Sequence, residues 1–263
     1  MSKYPGLLED DGQLFSISAL YHENTKLSAW DAKIELTRLF GKAKRQTGAE
    51  SFKTYPSARL KLKLPDVSGR TGAPFYQTIE KRRSIREYAP VPLTCEELAI
   101  LLHYSCGITS RLDGQPLRAS PSGGALYPLE NYPVLFNVEG VEPGVYHYNV
   151  CEHSLESVHL GSYQTLLWEY SFRQDLVKQA SFMFILTAIP ARLQWKYGER
   201  AYRHVLVEAG HMAENVYLVG TAAGIGICTI GGFQDDPIAQ LIFLDGVQEF
   251  PVYLIVGGKV LCA

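Results

Sequence analysis

The chain has 263 residues, 46% of them hydrophobic, enough to bury one substantial core with at most a smaller appendage. Its 25 basic and 27 acidic residues leave a formal net charge of -2, so no strong overall field favours nucleic acid or an anionic membrane. The apolar runs fall short of the roughly 20 residues that span a bilayer, and the acidic start lacks the apolar core of a signal peptide, so a cytoplasmic protein is expected.

Residues 1–70 read as an N-terminal arm or wrap, with helical runs at 14–20 and 28–38 followed by a lysine-rich segment broken by prolines and glycines. That segment is either a solvated face or a docking surface. Residues 71–263 read as the domain. Thr78 to Arg83 predicts a short helix. Thr94 with Glu97 three positions on has capping-box spacing, and a helix over 95–105 follows, stopped near Gly107. Strands are expected at 132–138 and 144–150, separated by the turn EGVEPG. One or two helices fit 162–179, and the nearly all-apolar run 181–189 predicts an interior strand. The longest helical pattern runs from Arg200 to Ala223, ended by Gly224 and Gly226. Asp236-Pro237 opens another short helix, and 251–258 is the last strand. Strands and helices do not alternate regularly, and no GxGxxG follows a strand and opens a helix. The fold class is α+β, with a small mixed or antiparallel sheet covered by helices.

Five stretches can carry chemistry. In EKRRSIREYAP, Arg82, Arg83 and Arg86 surround Ser84, a set of forks and a hydroxyl that suits phosphate oxygens or, more plainly, a solvated basic turn. In SPSGG, Pro121, Ser122 and Gly123 form either a structural turn or a backbone platform beside a planar ligand; no GxSxG elbow surrounds Ser122. In GIGICTIGGF, Gly231 and Gly232 let backbone N–H groups face a ligand, while Cys228 reads as a lining or core residue. In LQWKYGERAYRH, Lys196 and Tyr197 sit on an expected loop between a strand and the long helix, where they can share a proton or simply pack. His211, further along that helix, reads as a core or interface histidine. Lys259 follows two glycines at a strand end, where it can close a phosphate pocket. The five cysteines show no CxxC spacing, and no HExxH or close histidine pair suggests a metal.

Together and in this order, RRSIREY, SPSGGALYPLE, KYGERAYRHVLVEAGHMAENVYL and GIGICTIGGF resemble the nitroreductase-like flavoproteins, in particular the SagB-type branch that includes the thiazoline and oxazoline oxidases. The resemblance runs from about Phe75 to Val260, and YHENTK at 21–26 is similar to the branch's leader segment. It implies a homodimer with FMN at the subunit interface. It implies that Arg82, Arg83, Ser84 and Arg86 hold the phosphate and ribityl chain, helped by Lys259. It places Pro121, Ser122 and Gly123 against the isoalloxazine of the other subunit, with Gly231 and Gly232 near the ring's opposite edge. Lys196 and Tyr197 match the adjacent pair that azoline oxidases use, and either can be the base. The implied reaction oxidises a thiazoline or oxazoline, peptide-borne or carrier-tethered, to the azole, with any cyclodehydratase or synthetase supplied as a separate chain. The competing readings are an NAD(P)H-dependent FMN reductase of nitro compounds, quinones or enones, and a catalytically inactive scaffold of a biosynthetic complex.

Overall fold

The computed structural model describes residues 17–26 and 52–261. The helix expected at 28–38 lies outside them. The elements in chain order are α1 (Ile17–Asn24), β1 (Lys61–Lys63), α2 (Phe75–Lys81), α3 (Cys95–Cys106), β2 (Ile108–Leu112), β3 (Gln115–Arg118), β4 (Leu129–Leu135), β5 (Gly144–Asn149), β6 (Ser154–Leu160), α4 (Gln164–Tyr170), α5 (Leu176–Gln179), β7 (Phe182–Ala188), α6 (Ala191–Tyr197), α7 (Ala201–Ala223), β8 (Ile225–Ile230), α8 (Asp235–Leu241) and β9 (Phe250–Lys259).

Seven strands form one sheet in the order β1-β6-β5-β4-β7-β9-β8, and every ladder in it is antiparallel. Parallel pairing enters through isolated bridges, Ser84 to Ile227 and Leu93 to Val138. The sheet is buried on both faces, which explains why β7 reads as a continuous apolar run. Its period of two sends Phe182, Phe184, Leu186 and Ala188 into one core and Met183 and Ile185 into the other. The first core is closed by α3 and α7 through Leu98, Leu101, Leu102, Val205, Met212 and Val216. The second is closed by α4, α5 and α8 through Leu167, Leu176, Val177 and Ile238. Each fully buried leucine contributes about 1.5–3 kcal/mol.

The two ends of this framework were well signalled. Thr94 Oγ1 accepts the Glu97 N–H at 3.2 Å and Glu97 Oε2 accepts the Thr94 N–H at 2.9 Å, a complete capping box at the start of α3. Gly224 ends α7 at φ 71°, and its N–H reaches the Gly220 and Thr221 carbonyls. Gly220 lets α7 approach β8 closely: a Cβ there would meet Ile227 Cγ1 at 2.4 Å.

The structure departs from expectation in three places. The sheet is larger than a small one, because 61–63 and 154–160 join it as strands and 225–230, read as a glycine loop, is its edge strand β8. Isoleucines at 225, 227 and 230 pack into the cores and outweigh the glycines. Residues 108–118 form a separate two-stranded hairpin, β2-β3. Lys196 and Tyr197 lie on helix α6 and not on a loop.

Residues 52–67 are tied to the domain by β1 and by buried Leu64 and Val67. Helix α1 lies on the start of α7, where Arg200 Nη1 donates to the Thr25 carbonyl at 2.8 Å and Arg203 Nε to Thr25 Oγ1 at 2.7 Å. No helix among the described residues is long and apolar enough to cross a membrane.

Candidate functional site

The SPSGG stretch folds as a tight turn after β3. Gly124, Ala125 and Tyr127 all have positive φ, at 66°, 52° and 49°. Two of these are not glycine, and such strain needs support from outside the turn. Ser122 Oγ accepts the Tyr127 N–H at 2.8 Å, Tyr127 OH accepts the Arg118 N–H at 2.9 Å, and Arg192 Nη1 donates to the Tyr127 carbonyl at 2.9 Å. The Gly123 N–H donates to Glu208 Oε1 of α7 at 2.9 Å.

Positive φ accounts for Gly124, and the last turn of α6 lies against both glycines. A Cβ at Gly124 would sit 2.8 Å from Lys196 Nζ and 3.2 Å from Tyr197 OH, and one at Gly123 would sit 3.4 Å from Tyr197 OH. The last turn of α6, ended by Gly198 at φ 55°, thus sets the lysine–tyrosine pair directly on the glycine turn. Lys196 Nζ is 5.4 Å from the centre of the Tyr197 ring, and that ring packs on His204 with centroids 4.5 Å apart. Burial, and then the charge of Arg200, push the His204 imidazole below its ordinary pKa. Glu208 lies one helical turn beyond His204. Burial pushes its carboxyl up to about 7, against the opposing pull of the Gly123 N–H, the Ser122 hydroxyl and the Arg118 charge.

A second group gathers where α2 leads to the sheet edge. The Arg82 guanidinium lies 5.2 Å over the Tyr217 ring, and Ser84 Oγ is 3.1 Å from Tyr217 OH. Tyr217 OH also accepts the Thr229 N–H at 2.9 Å, and Tyr253 OH donates to Thr229 Oγ1 at 2.9 Å. Arg83 and Arg86 are exposed, Arg83 bonded to the Glu80 and Arg82 carbonyls and Arg86 to the Ser84 carbonyl. Exposed guanidinium forks beside a hydroxyl cluster are a donor set that fits a phosphate group. Lys259 is ion-paired with Glu97, the capping-box carboxylate. Gly231 and Gly232 follow β8 and are exposed, and the Gly232 carbonyl accepts from Gln174 Nε2 at 3.4 Å.

The structure therefore brings Pro121–Gly124, Lys196 and Tyr197 together, and separately Arg82, Ser84 and Arg86. Glu208 and Tyr217, which anchor the two groups to α7, are nine residues apart, about 14 Å along the helix axis. Two clefts among the described residues lie elsewhere. One, of about 710 Å³, is lined by Lys53, Arg192 and Glu249 among others; another, of about 750 Å³, runs between Phe75, Ile100 and Ala222. Neither includes the glycine turn, of which Pro121 and Gly124 are exposed. Cys228 is buried in β8 with its thiol pushed up by burial, a core residue. His211 is exposed on the outer face of α7, so it is not a core histidine.

Glu208, His204, Tyr217 and Arg118 were not picked out from the sequence. Glu208 had a signal, since a carboxylate interrupts the apolar run VLVEAGHMA at a position spaced with Val205 and Met212 for the inward face. Arg118 and Tyr217 had none, because their partners are distant in the chain.

Comparison with known proteins addresses the family and the fold. The protein TfxB of Rhizobium leguminosarum bv. trifolii, named as trifolitoxin-processing, is 30% identical over 211 residues, which are 76% of this chain and 56% of that protein. A crystal structure of a candidate nitroreductase from Anabaena variabilis superposes with a TM-score of 0.75 at 26% identity, over 92% of this chain and 46% of that one. The chain spans about half the length of these two proteins. A Methanocaldococcus jannaschii protein, named as a candidate nitroreductase, is 35% identical over 200 residues, which are 76% of this chain and 96% of that protein. The Nitroreductase family model matches residues 79–259, most of the chain, and the chain belongs to the nitroreductase family.

Proposed function

We propose that the protein is an FMN-dependent dehydrogenase that oxidises thiazoline or oxazoline rings to azoles in peptide natural-product biosynthesis. The observation that carries this reading is the packing of Lys196 and Tyr197 on the Gly123–Gly124 turn, with Glu208 beneath it. FMN, when bound, supplies the two-electron acceptor. Arg82, Ser84 and Arg86 are the residues for its phosphate and ribityl chain, and Pro121, Ser122 and Gly123 the surface for its ring. Lys196 or Tyr197 takes the ring proton, the task left to the protein once hydride has an acceptor. A quinone or nitroarene reductase does not need that pair.

The two groups belong to one site if a second copy supplies one of them. Exposed apolar side chains support a homodimer: Phe75, Tyr76 and Ile79 on α2, with Leu206 and Val207 on α7. The relative named for trifolitoxin processing supports a role in processing a natural product. The Methanocaldococcus relative favours a second reading, an NAD(P)H-dependent FMN reductase.

Anaerobic mixing of the flavin-loaded protein with a thiazoline peptide, a carrier-tethered thiazoline, NADH and NADPH separates the two. Bleaching of the flavin by a thiazoline, with a product lighter by two hydrogens, is the expected result. Rapid bleaching by NADPH, with no response to either azoline, establishes the reductase.

A further inference from the structure

Glu208 is 6% exposed on the inward face of α7, among Val205, Ala209 and Met212. A carboxylate at such a position is expensive unless it is needed or paired. Its partners all belong to the glycine turn or to the strand before it. Oε1 accepts the Gly123 N–H at 2.9 Å, the Ser122 hydroxyl reaches the same carboxyl, and Arg118 lies close enough to favour its charge. Arg118 is itself buried, and its Nε and Nη2 find no hydrogen-bond partner among the described residues. The other side of the turn carries Lys196 and Tyr197.

We propose that Glu208 is a positioning residue for the active site, and that it holds the Ser122–Gly124 turn in working geometry only when it is ionised, so that proton uptake loosens the ring-binding surface. The link to ring binding rests on the reading of that turn as flavin-facing; the link to the turn itself does not.

The physical basis is the difference between two acceptors. An ionised carboxylate makes hydrogen bonds roughly twice as strong as a neutral carboxyl does. The turn needs that strength because Ala125 and Tyr127 are held at positive φ. The charged group facing Glu208 is Arg118 from β3; of the titratable groups nearby, Lys196 and Tyr197 of α6 lie against Gly123 and Gly124, His204 is one turn earlier on its own helix, and His211 is exposed on the outer face. Burial opposes its charge while Arg118 and the turn favour it, and the balance falls at about 7. Glu208 is therefore a carboxylate above that pH and a carboxyl below it.

The test compares wild type with Glu208→Gln, which keeps an acceptor oxygen but cannot ionise, and Glu208→Asp, which can. The first measurement is the protection of the Gly123 amide against hydrogen exchange, corrected for intrinsic exchange, which needs neither flavin nor substrate. From about pH 6 to about pH 8 it should rise by roughly three- to tenfold in wild type and in Glu208→Asp, and stay level in Glu208→Gln. The second is FMN affinity by fluorescence titration over the same range, expected to follow the same three profiles. Level Gly123 protection in wild type, or an equal slope in Glu208→Gln, overturns the proposal. If protection behaves as expected but FMN does not bind at any pH, the positioning role stands and the flavin reading of the turn falls.

Discussion

Glu208 and Glu130 are both buried carboxylates, 6% and 2% exposed, and both connect to helix α6, yet only Glu208 changes charge state near neutrality. Burial pushes Glu208 up to about 7, because one backbone N–H, one hydroxyl and a neighbouring guanidinium do not replace the lost water. Burial acts on Glu130 in the same sense, but His147 at 3.0 Å and Arg192 at 2.6 Å override it and hold the group at about 2. The network continues to Glu156, which shares His147 and also meets Lys61, Asn149 and the Tyr55 N–H. Arg192 starts α6, and its guanidinium binds both Glu130 and the Tyr127 carbonyl. The saturated network fixes the frame at one end of α6. The undersaturated carboxylate lies under the turn at the other end, where Lys196 and Tyr197 are. Both carboxylates are buried, Glu130 the more deeply, yet Glu130 is the one held charged; the charged partners decide which carboxylate can change state.

The largest break in this contrast is Arg192→Met, which makes Glu130 resemble Glu208 by stripping its cation. A buried charge left unpaired costs about 3–5 kcal/mol, to be read from urea denaturation at neutral pH. The double variant Arg192→Met/Glu130→Gln should recover much of that loss, since no charge is then stranded. At the other end of the helix, Lys196→Ala and Tyr197→Phe should leave the unfolding curve within about 0.5 kcal/mol of wild type while lowering turnover by about 10²–10⁴-fold. An equal loss of stability in these variants would make the two ends of α6 alike.

Titration sharpens the same comparison, because the two carboxylates act in opposite directions. Glu130 is lowered from 4.5 to about 2, so its contribution is present above 4.5 and is lost as pH falls toward about 2. Glu208 is raised from 4.5 to about 7, so the folded state binds the extra proton; that contribution is full below 4.5 and is lost as pH rises through about 7. Unfolding free energies across this range should show an acid limb that Glu130→Gln flattens. They should also show a decline toward neutral pH, on the order of 2 kcal/mol, that Glu208→Gln removes. The smallest effect is a control away from both carboxylates. Thr94→Ala loses the side-chain half of the capping box at about 1 kcal/mol and should leave the Glu208-dependent decline toward neutral pH unchanged.

Local signals carried much of the fold. The capping box, the glycine after α7, the apolar run of β7 and the Asp-Pro start of α8 depend on neighbours in the chain, and each appears where its pattern lies. Strands β1 and β6 were missed because polar and charged residues interrupt them and a partner strand supplies their place in the sheet, and β8 because the glycines in and beside it masked its isoleucines. The lysines of β1 and the glycine of β8 tolerate strand geometry once Glu156, Ser154 and Gly258 stand opposite. In the candidate site, the arginines, the glycine turn and the Lys196-Tyr197 pair were visible as short motifs. That the last two touch was not, since about 70 residues separate them in sequence.

Residue types and their local spacing therefore specified which chemical groups this protein holds and most of the helices that carry them, because capping, periodicity and turn preference act over a few residues. Tertiary structure alone decided which groups meet and in what charge state. Glu208 and Glu130 are the same residue type in apolar surroundings, and only the fold supplies one with His147 and Arg192 and the other with a single glycine turn; a buried carboxylate takes its charge from such partners, not from its place in the chain.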